Sequence, residues 1–189
     1  MPTERRSVPC RPTIDRRPLL GLDPGLLRTG YALLAPPRPG QEPRLLEAGL
    51  IRLPQQAPLS ERLLELERSL LTLIKNHRPA LLACEELYAH YRHPRTAILM
   101  AHARGVILAL AARAGLQIIP VAATNVKKLL TGSGRASKPQ VQLAVAATLH
   151  LPKVPEPHDV ADAIAIALCG WRLWQSGAFL GPDEGRPRS

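Results

Sequence analysis

The sequence predicts an α/β fold, a mixed five-stranded sheet made of an antiparallel hairpin plus parallel strands and flanked by helices. Short apolar runs bounded by Pro, Gly or acidic residues recur along the chain. The first three follow one another through short connections, whereas the fourth and fifth each come after a long helix-patterned segment. A strand reached through a tight loop pairs antiparallel, and one reached through a helix pairs parallel.

Each element has its own signature. Residues 19–23 (Leu-Leu-Gly-Leu-Asp) are a buried strand stopped by Pro24-Gly25. Residues 29–35 form a second strand, broken by Pro36, Pro37, Pro39 and Gly40, and residues 45–53 form a third that completes the hairpin. Ser60 is the expected cap of an amphipathic helix whose stripe is Leu63, Leu66, Leu70, Leu73 and Ile74, ending before Pro79. Residues 80–84 are a fourth, wholly apolar strand that runs into Glu85-Glu86. A loop with Tyr88, Tyr91 and Pro94 leads to an alanine-rich helix ending near Gly115, and residues 116–121 make the fifth strand. A short helix over residues 124–131 closes at Gly132, a left-handed cap. Residues 132–136 read as a mobile basic loop, Ser137 caps a helix reaching His150, and a last helix covers residues 158–174. A right-handed crossover places the fourth strand beside the first, on the side away from the hairpin. Functional residues of such sheets gather at the carboxyl ends of strands, where Asp23 and Glu85 stand.

Composition narrows the function. The 189 residues fit one domain and carry a formal net charge of +10. Five arginines against Glu4 and Asp15 give residues 1–18 a charge of +3, and the last eight residues are neutral, which leaves +7 on residues 19–181. Such a balance favours a polyanionic partner. Residues 1–18 read as a disordered basic extension, 19–175 as the folded domain and 176–189 as a flexible tail. Cys10, Cys84 and Cys169 are odd in number and show no CxxC spacing, so zinc and disulfides are not indicated and a cytoplasmic setting is. No apolar run approaches the roughly 20 residues that span a bilayer, so no membrane partner is expected.

The acidic residues have ordinary readings when taken singly. Asp23 before Pro-Gly is a turn former, Glu85 a strand end, and Asp159 and Asp162 suit the first turn of a helix. Together they suggest chemistry. Asp23 and Glu85 end neighbouring buried strands, and Asp159 and Asp162, three apart, share a helix face that continues apolar through Ala165 and Ile166. Four converging carboxylates repel by roughly 4 kcal/mol per close pair at an effective dielectric of 20. They must take up protons or bind hard divalent cations, and all-oxygen donors favour Mg²⁺ or Mn²⁺ over zinc. Two such ions can activate water and stabilise the departing oxygen of a phosphodiester.

Several stretches match a known pattern. Leu22-Asp23-Pro24-Gly25 with Thr29-Gly30-Tyr31, Ala83-Cys84-Glu85-Glu86-Leu87-Tyr88, Ala103-Arg104-Gly105, the segment from Val126-Lys127 to Gln142, and Asp159-Val160-Ala161-Asp162-Ala163 follow in order. They resemble the signature segments of the RuvC crossover junction resolvases over about residues 19–174. The resemblance implies a ribonuclease-H-like fold and cleavage of four-way DNA junctions in recombination and repair. It also implies a homodimer, two Mg²⁺ or Mn²⁺ ions, and partnership with a RuvA–RuvB branch-migration complex. The implied catalytic metal ligands are Asp23, Glu85, Asp159 and Asp162, with Lys127, Lys138 and Arg135 as DNA contacts. Some relatives have histidine near Asp159, where His158 here reads as a surface or capping residue, and many have glutamine where this chain has Glu86. Tyr88 stands where the family often has phenylalanine and is expected to stack on an unpaired base. The alanine-rich helix, through Ala97, Ala101, Ile107, Leu108 and Ala111, is the expected dimer contact.

Other classes fit less well. A phosphotransferase of the actin and sugar-kinase type needs a second domain and more phosphate loops, and no GxxxxGK[ST] is present. A catalytically inactive or single-strand-acting nucleic-acid-binding protein of the same fold is the remaining alternative, and all four acidic positions are filled.

Overall fold

The computed structural model describes residues 16–25, 27–38, 40–87 and 94–177. Tyr88, most of the basic leader and all but the first two residues of the tail lie outside these residues. The described chain runs β1 (Leu19–Asp23), β2 (Arg28–Ala35), β3 (Arg44–Arg52), α1 (Leu59–His77), β4 (Leu81–Glu85), α2 (Pro94–Arg113), β5 (Gln117–Val121), α3 (Ala123–Thr131), α4 (Lys138–Thr148) and α5 (His158–Ser176). Sheet order is β3-β2-β1-β4-β5. β1 is antiparallel to β2 and parallel to β4, and β5 is parallel to β4, as the connection lengths imply.

Strand alternation sorts the core into two layers. Leu20, Leu22, Leu33, Leu82 and Cys84 join α1 and α2 on one face. Leu19, Ala32, Leu34, Leu81, Ala83, Ile119 and Val121 join α5, with parts of α3 and α4, on the other. Period two then assigns Asp23 (after Leu19 and Gly21) and Glu85 (after Leu81 and Ala83) to the α5 side.

α5 is nearly all apolar and buried from Ala163 to Trp171 because it lies directly on the sheet. Small residues set how closely. A Cβ on Gly21 would fall 2.5 Å from the Ala167 Cβ, and one on Gly30 would fall 2.0 Å from the Asp159 carbonyl oxygen. Gly30 is the register partner of Asp23, so the missing side chain brings the start of α5 down onto the end of β1.

Some expectations change. α1 begins at Leu59, with Pro58 rather than Ser60 at the cap position. The Pro58 carbonyl accepts from the Arg62 N–H at 3.1 Å, and no side-chain oxygen caps the first turn, where Ser60 and Glu61 are exposed. Gly132 takes the left-handed cap, with φ 74°. The loop after it carries its own hydrogen bonds, from the Ser133 N–H to Thr131 Oγ1 and from the Arg135 N–H to Ser133 Oγ. Ser137 does open α4, and its N–H donates to the Gln140 side chain at 2.8 Å, half of a capping box.

α2 departs most from the sequence reading. By length and composition, residues 96–113 could cross a membrane, at mean hydropathy 1.3, contrary to the expectation that no run would. One face of this helix, however, is core: Ala103, Ile107, Leu110 and Ala111 are all buried. Ile107 and Ala111 are therefore removed from the expected contact surface. The outward face instead carries Ile98, which is 58% exposed, together with the exposed small residues Ala101, Gly105, Ala109 and Ala112.

The glycine contacts make a testable stability statement. Gly30→Ala should force α5 off the sheet and cost about 1–3 kcal/mol, as overpacking does. In a chain of this size that is roughly 2–4 °C in Tm per kcal/mol. Thermal melts should show the loss, with Gly40→Ala, which has nothing within 4 Å but a φ of 76°, losing less.

Candidate active site

Asp23 and Glu85 come from adjacent strand ends, while Asp159 and Asp162 come from the first two turns of α5. All four line one cavity of about 440 Å³, with Lys127 of α3 and Lys138 of α4. Val126, Val141 and Ile166 form its apolar part. Asp162 accepts a hydrogen bond from Lys138 Nζ at 3.2 Å. Asp159 faces Arg28 Nε at 4.0 Å across the start of β2. Arg135 is not brought to this cavity; it lines a separate hollow of about 530 Å³ between the α3–α4 loop and α4.

The electrostatics follow from crowding and burial. Asp23 is pushed up to about 8, first by burial and then by Glu85, Asp162 and Asp159. Glu85 is also raised, by burial and by Asp162, with Lys138, a hydrogen bond from Asp23 and Lys127 working the other way. Lys138 is raised because Asp162 favours its charged form, partly offset by burial. Burial and crowding thus hold Asp23 toward its protonated form, and the Lys138 ammonium group rests against Asp162.

The donor set suits a hard divalent cation, being all carboxylate oxygen, mutually repelling and already drawing an ammonium group. The ligands are not drawn together beforehand, since among the described residues no group of three or more is gathered closely enough to hold an ion.

Two residues near the site were not singled out from sequence. Arg104 on α2 donates from Nε to the Glu85 carbonyl oxygen at 3.0 Å, fixing the end of β4 from the opposite face of the sheet. Its signal was the Ala-Arg-Gly segment, which sequence alone could not connect to Glu85. Arg28 had no signal beyond its charge at a strand start.

A sheet in this order, with carboxylates at its strand ends and a helix laid across them, defines the ribonuclease-H-like class of nucleases. Yeast mitochondrial Holliday junction resolvase Ydc2, at TM-score 0.58 and 14% identity over 87% of this chain and 83% of its own, shares that fold. A family model for crossover junction endodeoxyribonuclease RuvC matches residues 19–170. The RuvC of Rhodopirellula baltica is 51% identical over 155 residues, 82% of this chain and 86% of that one. That of Pelotomaculum thermopropionicum is 42% identical over 151 residues, 80% of this chain and 90% of its own. Thermus thermophilus RuvC superposes at TM-score 0.77 with 31% identity, covering 85% of this chain and 96% of that one. The chain belongs to the RuvC family of crossover junction endodeoxyribonucleases, hydrolases of DNA recombination and repair, and membership implies a divalent-metal-dependent nuclease.

The charge management makes a pH prediction. A carboxyl whose folded pKa of about 8 exceeds its ordinary value of 3.8 keeps an extra proton in the folded state between those values. Folding stability from this group is therefore lost as pH rises through that window. Asp23→Asn should raise the Tm of the metal-free protein at pH 8 and change it little at pH 4. Equal shifts at both pH values would remove the buried, proton-holding Asp23.

Proposed function

We propose that the chain resolves four-way (Holliday) DNA junctions by paired symmetric nicks, with Asp23, Glu85, Asp159 and Asp162 holding two Mg²⁺ or Mn²⁺ ions. The observation that carries this reading is the meeting of four carboxylates and two lysines, from five separate elements, in one cavity. Thermus thermophilus RuvC bound to a Holliday junction substrate superposes at TM-score 0.76 with 28% identity, which supports the same substrate here. When bound, the ions would activate a water and stabilise the leaving oxygen of the phosphodiester. The chain's own residues do the rest. Asp23 and Glu85 are held by strand ends, so their spacing is fixed by β1–β4 pairing. Asp23 would be ionised beside a bound cation, whose charge would offset the burial and the repulsion that raise it. Lys138, released from Asp162, is free to turn toward a backbone phosphate, with Lys127 beside it. Arg135, outside the cavity, contacts a more distant phosphate. Tyr88, outside the described residues, stacks on an opened base.

A four-way junction has two equivalent strands to cut, which a two-fold dimer meets with two identical sites. The outward face of α2, with Leu64 and Leu71 of α1 exposed at 43% and 42%, is the surface proposed for that contact. We assign the protein to the cytoplasm beside a RuvA–RuvB branch-migration complex, on the family resemblance.

Glu85→Gln and Asp162→Asn should each abolish cutting of a synthetic junction while binding is kept or tightened, since a ligand and a repulsive charge are lost together. Wild-type cutting by Glu85→Gln would end the metal-site reading. In sedimentation at micromolar concentration the protein should run at about twice its 20.6 kDa. Ile98→Glu should return it to monomer, and a dimer that survives this change would place the contact on another surface.

A further inference from the structure

The basic residues assigned so far, Lys127, Lys138 and Arg135, stand on α3, α4 and their connecting loop. In the sheet order β3-β2-β1-β4-β5, the hairpin strands β2 and β3 lie on the other side of Asp23 from β4 and β5. Arg28 opens β2 at the active-site end, and its register partner on β3 is Arg52. Directly paired residues point to the same face of a sheet, and like charges placed opposite one another there are destabilising. That face is the one covered by α5, because Arg28 continues the series of Gly30, Ala32 and Leu34.

Two further contacts fix Arg28. The turn before it is tight: a Cβ on Gly25 would lie 2.0 Å from the Arg28 carbonyl oxygen, and the Gly25 N–H reaches Thr29 Oγ1 at 3.4 Å. Its guanidinium rests 4.0 Å from Asp159 with a side-chain exposure of 54%, leaving most of its donors open to solvent. Among the described residues Arg52, also exposed, makes no ion pair with a carboxylate. Asp159, which lines the cavity, thus faces the Arg28 guanidinium, and Arg52 stands next to Arg28 in the strand register.

We propose that Arg28 and Arg52 form a second phosphate-contacting rail on the hairpin side of the cavity. The strand to be cut is then gripped on both sides of the acidic centre, by lysines across from β4 and by arginines across from β2. The ligand is the backbone phosphate of the bound junction strand. In the DNA-free protein, Asp159 serves as the internal counter-ion of Arg28. This inference rests on the junction-binding reading above, and the guanidinium fork suits a phosphate at that edge.

The test is metal-free binding of a fluorescent four-way junction by the full chain, followed across salt concentration. Each lost phosphate contact should lower the slope of log K against log salt by about 0.9. Arg28→Gln and Arg52→Gln should each weaken binding and show that drop, the double variant should lose both contacts, and Arg28→Lys should keep the wild-type slope. Arg68→Gln, an exposed arginine on α1, controls for net charge and should leave the slope unchanged. The proposal is overturned if Arg28→Gln and Arg52→Gln keep the wild-type slope while Lys127→Ala lowers it, an outcome that leaves the junction-binding reading intact. It is overturned equally if Arg68→Gln lowers the slope as much as they do. If neither the arginine variants nor Lys127→Ala lower it, the junction-binding face itself has been misplaced.

Discussion

The structure depends on how closely α5 lies against the sheet. Gly21 and Gly30 on the strands, with Ala163 and Ala167 on the helix, let backbone meet backbone where ordinary side chains would hold them apart. This contact is packing in one sense and electrostatics in another. It covers the apolar half of the sheet, and it also drives the two helix carboxylates into the space above Asp23 and Glu85. Overpacking is costly and packed layers do not deform smoothly, so the same contact that closes the core fixes the spacing of the acids.

Four carboxylates so placed oppose one another's charge, and burial adds to the cost at Asp23 and Glu85. The fold answers with a raised Asp23, a lysine on Asp162 and an arginine facing Asp159. Each of these is a reversible arrangement. On the proposed reading, a divalent cation would replace the proton, and a phosphate would draw away the lysine and the arginine. The cavity is thus a balanced acid–base cluster rather than a ready-made cage, in keeping with the lack of a close group of three or more carboxylates among the described residues. Metal and nucleic acid would then assist each other, since each would remove a charge that opposes the other.

Much of this was legible in the sequence because it rests on periodicity. The ends of two apolar strands predicted to be neighbours bring Asp23 and Glu85 together, and a spacing of three puts Asp159 and Asp162 on one helix face. Connection lengths fixed which strands pair. What was not legible depends on distant partners. In α2 alanines occur on both faces, so composition could not tell which ones pack on the core, and Ile107 and Ala111 were placed outward in error. Arg28 looked like any charge at a strand start until its register partner and the start of α5 were known. The start of α1 was misread because its first turn is exposed and carries no side-chain cap, so Ser60 marked the region but not the boundary.

The cavity draws Asp23 from the first strand and Asp162 from the last helix, with almost the whole described domain threaded between them. During synthesis the chain emerges amino end first. The strand carboxylates are made early, but no competent cluster exists until α5 has left the ribosome and docked on Gly21 and Gly30. On the proposed ligand set, a chain that stops before α5 would lack Asp159 and Asp162 and could assemble no cutting centre. Under that reading, the ability to cut would arrive only with the last described helix, set by the order in which the polypeptide is completed.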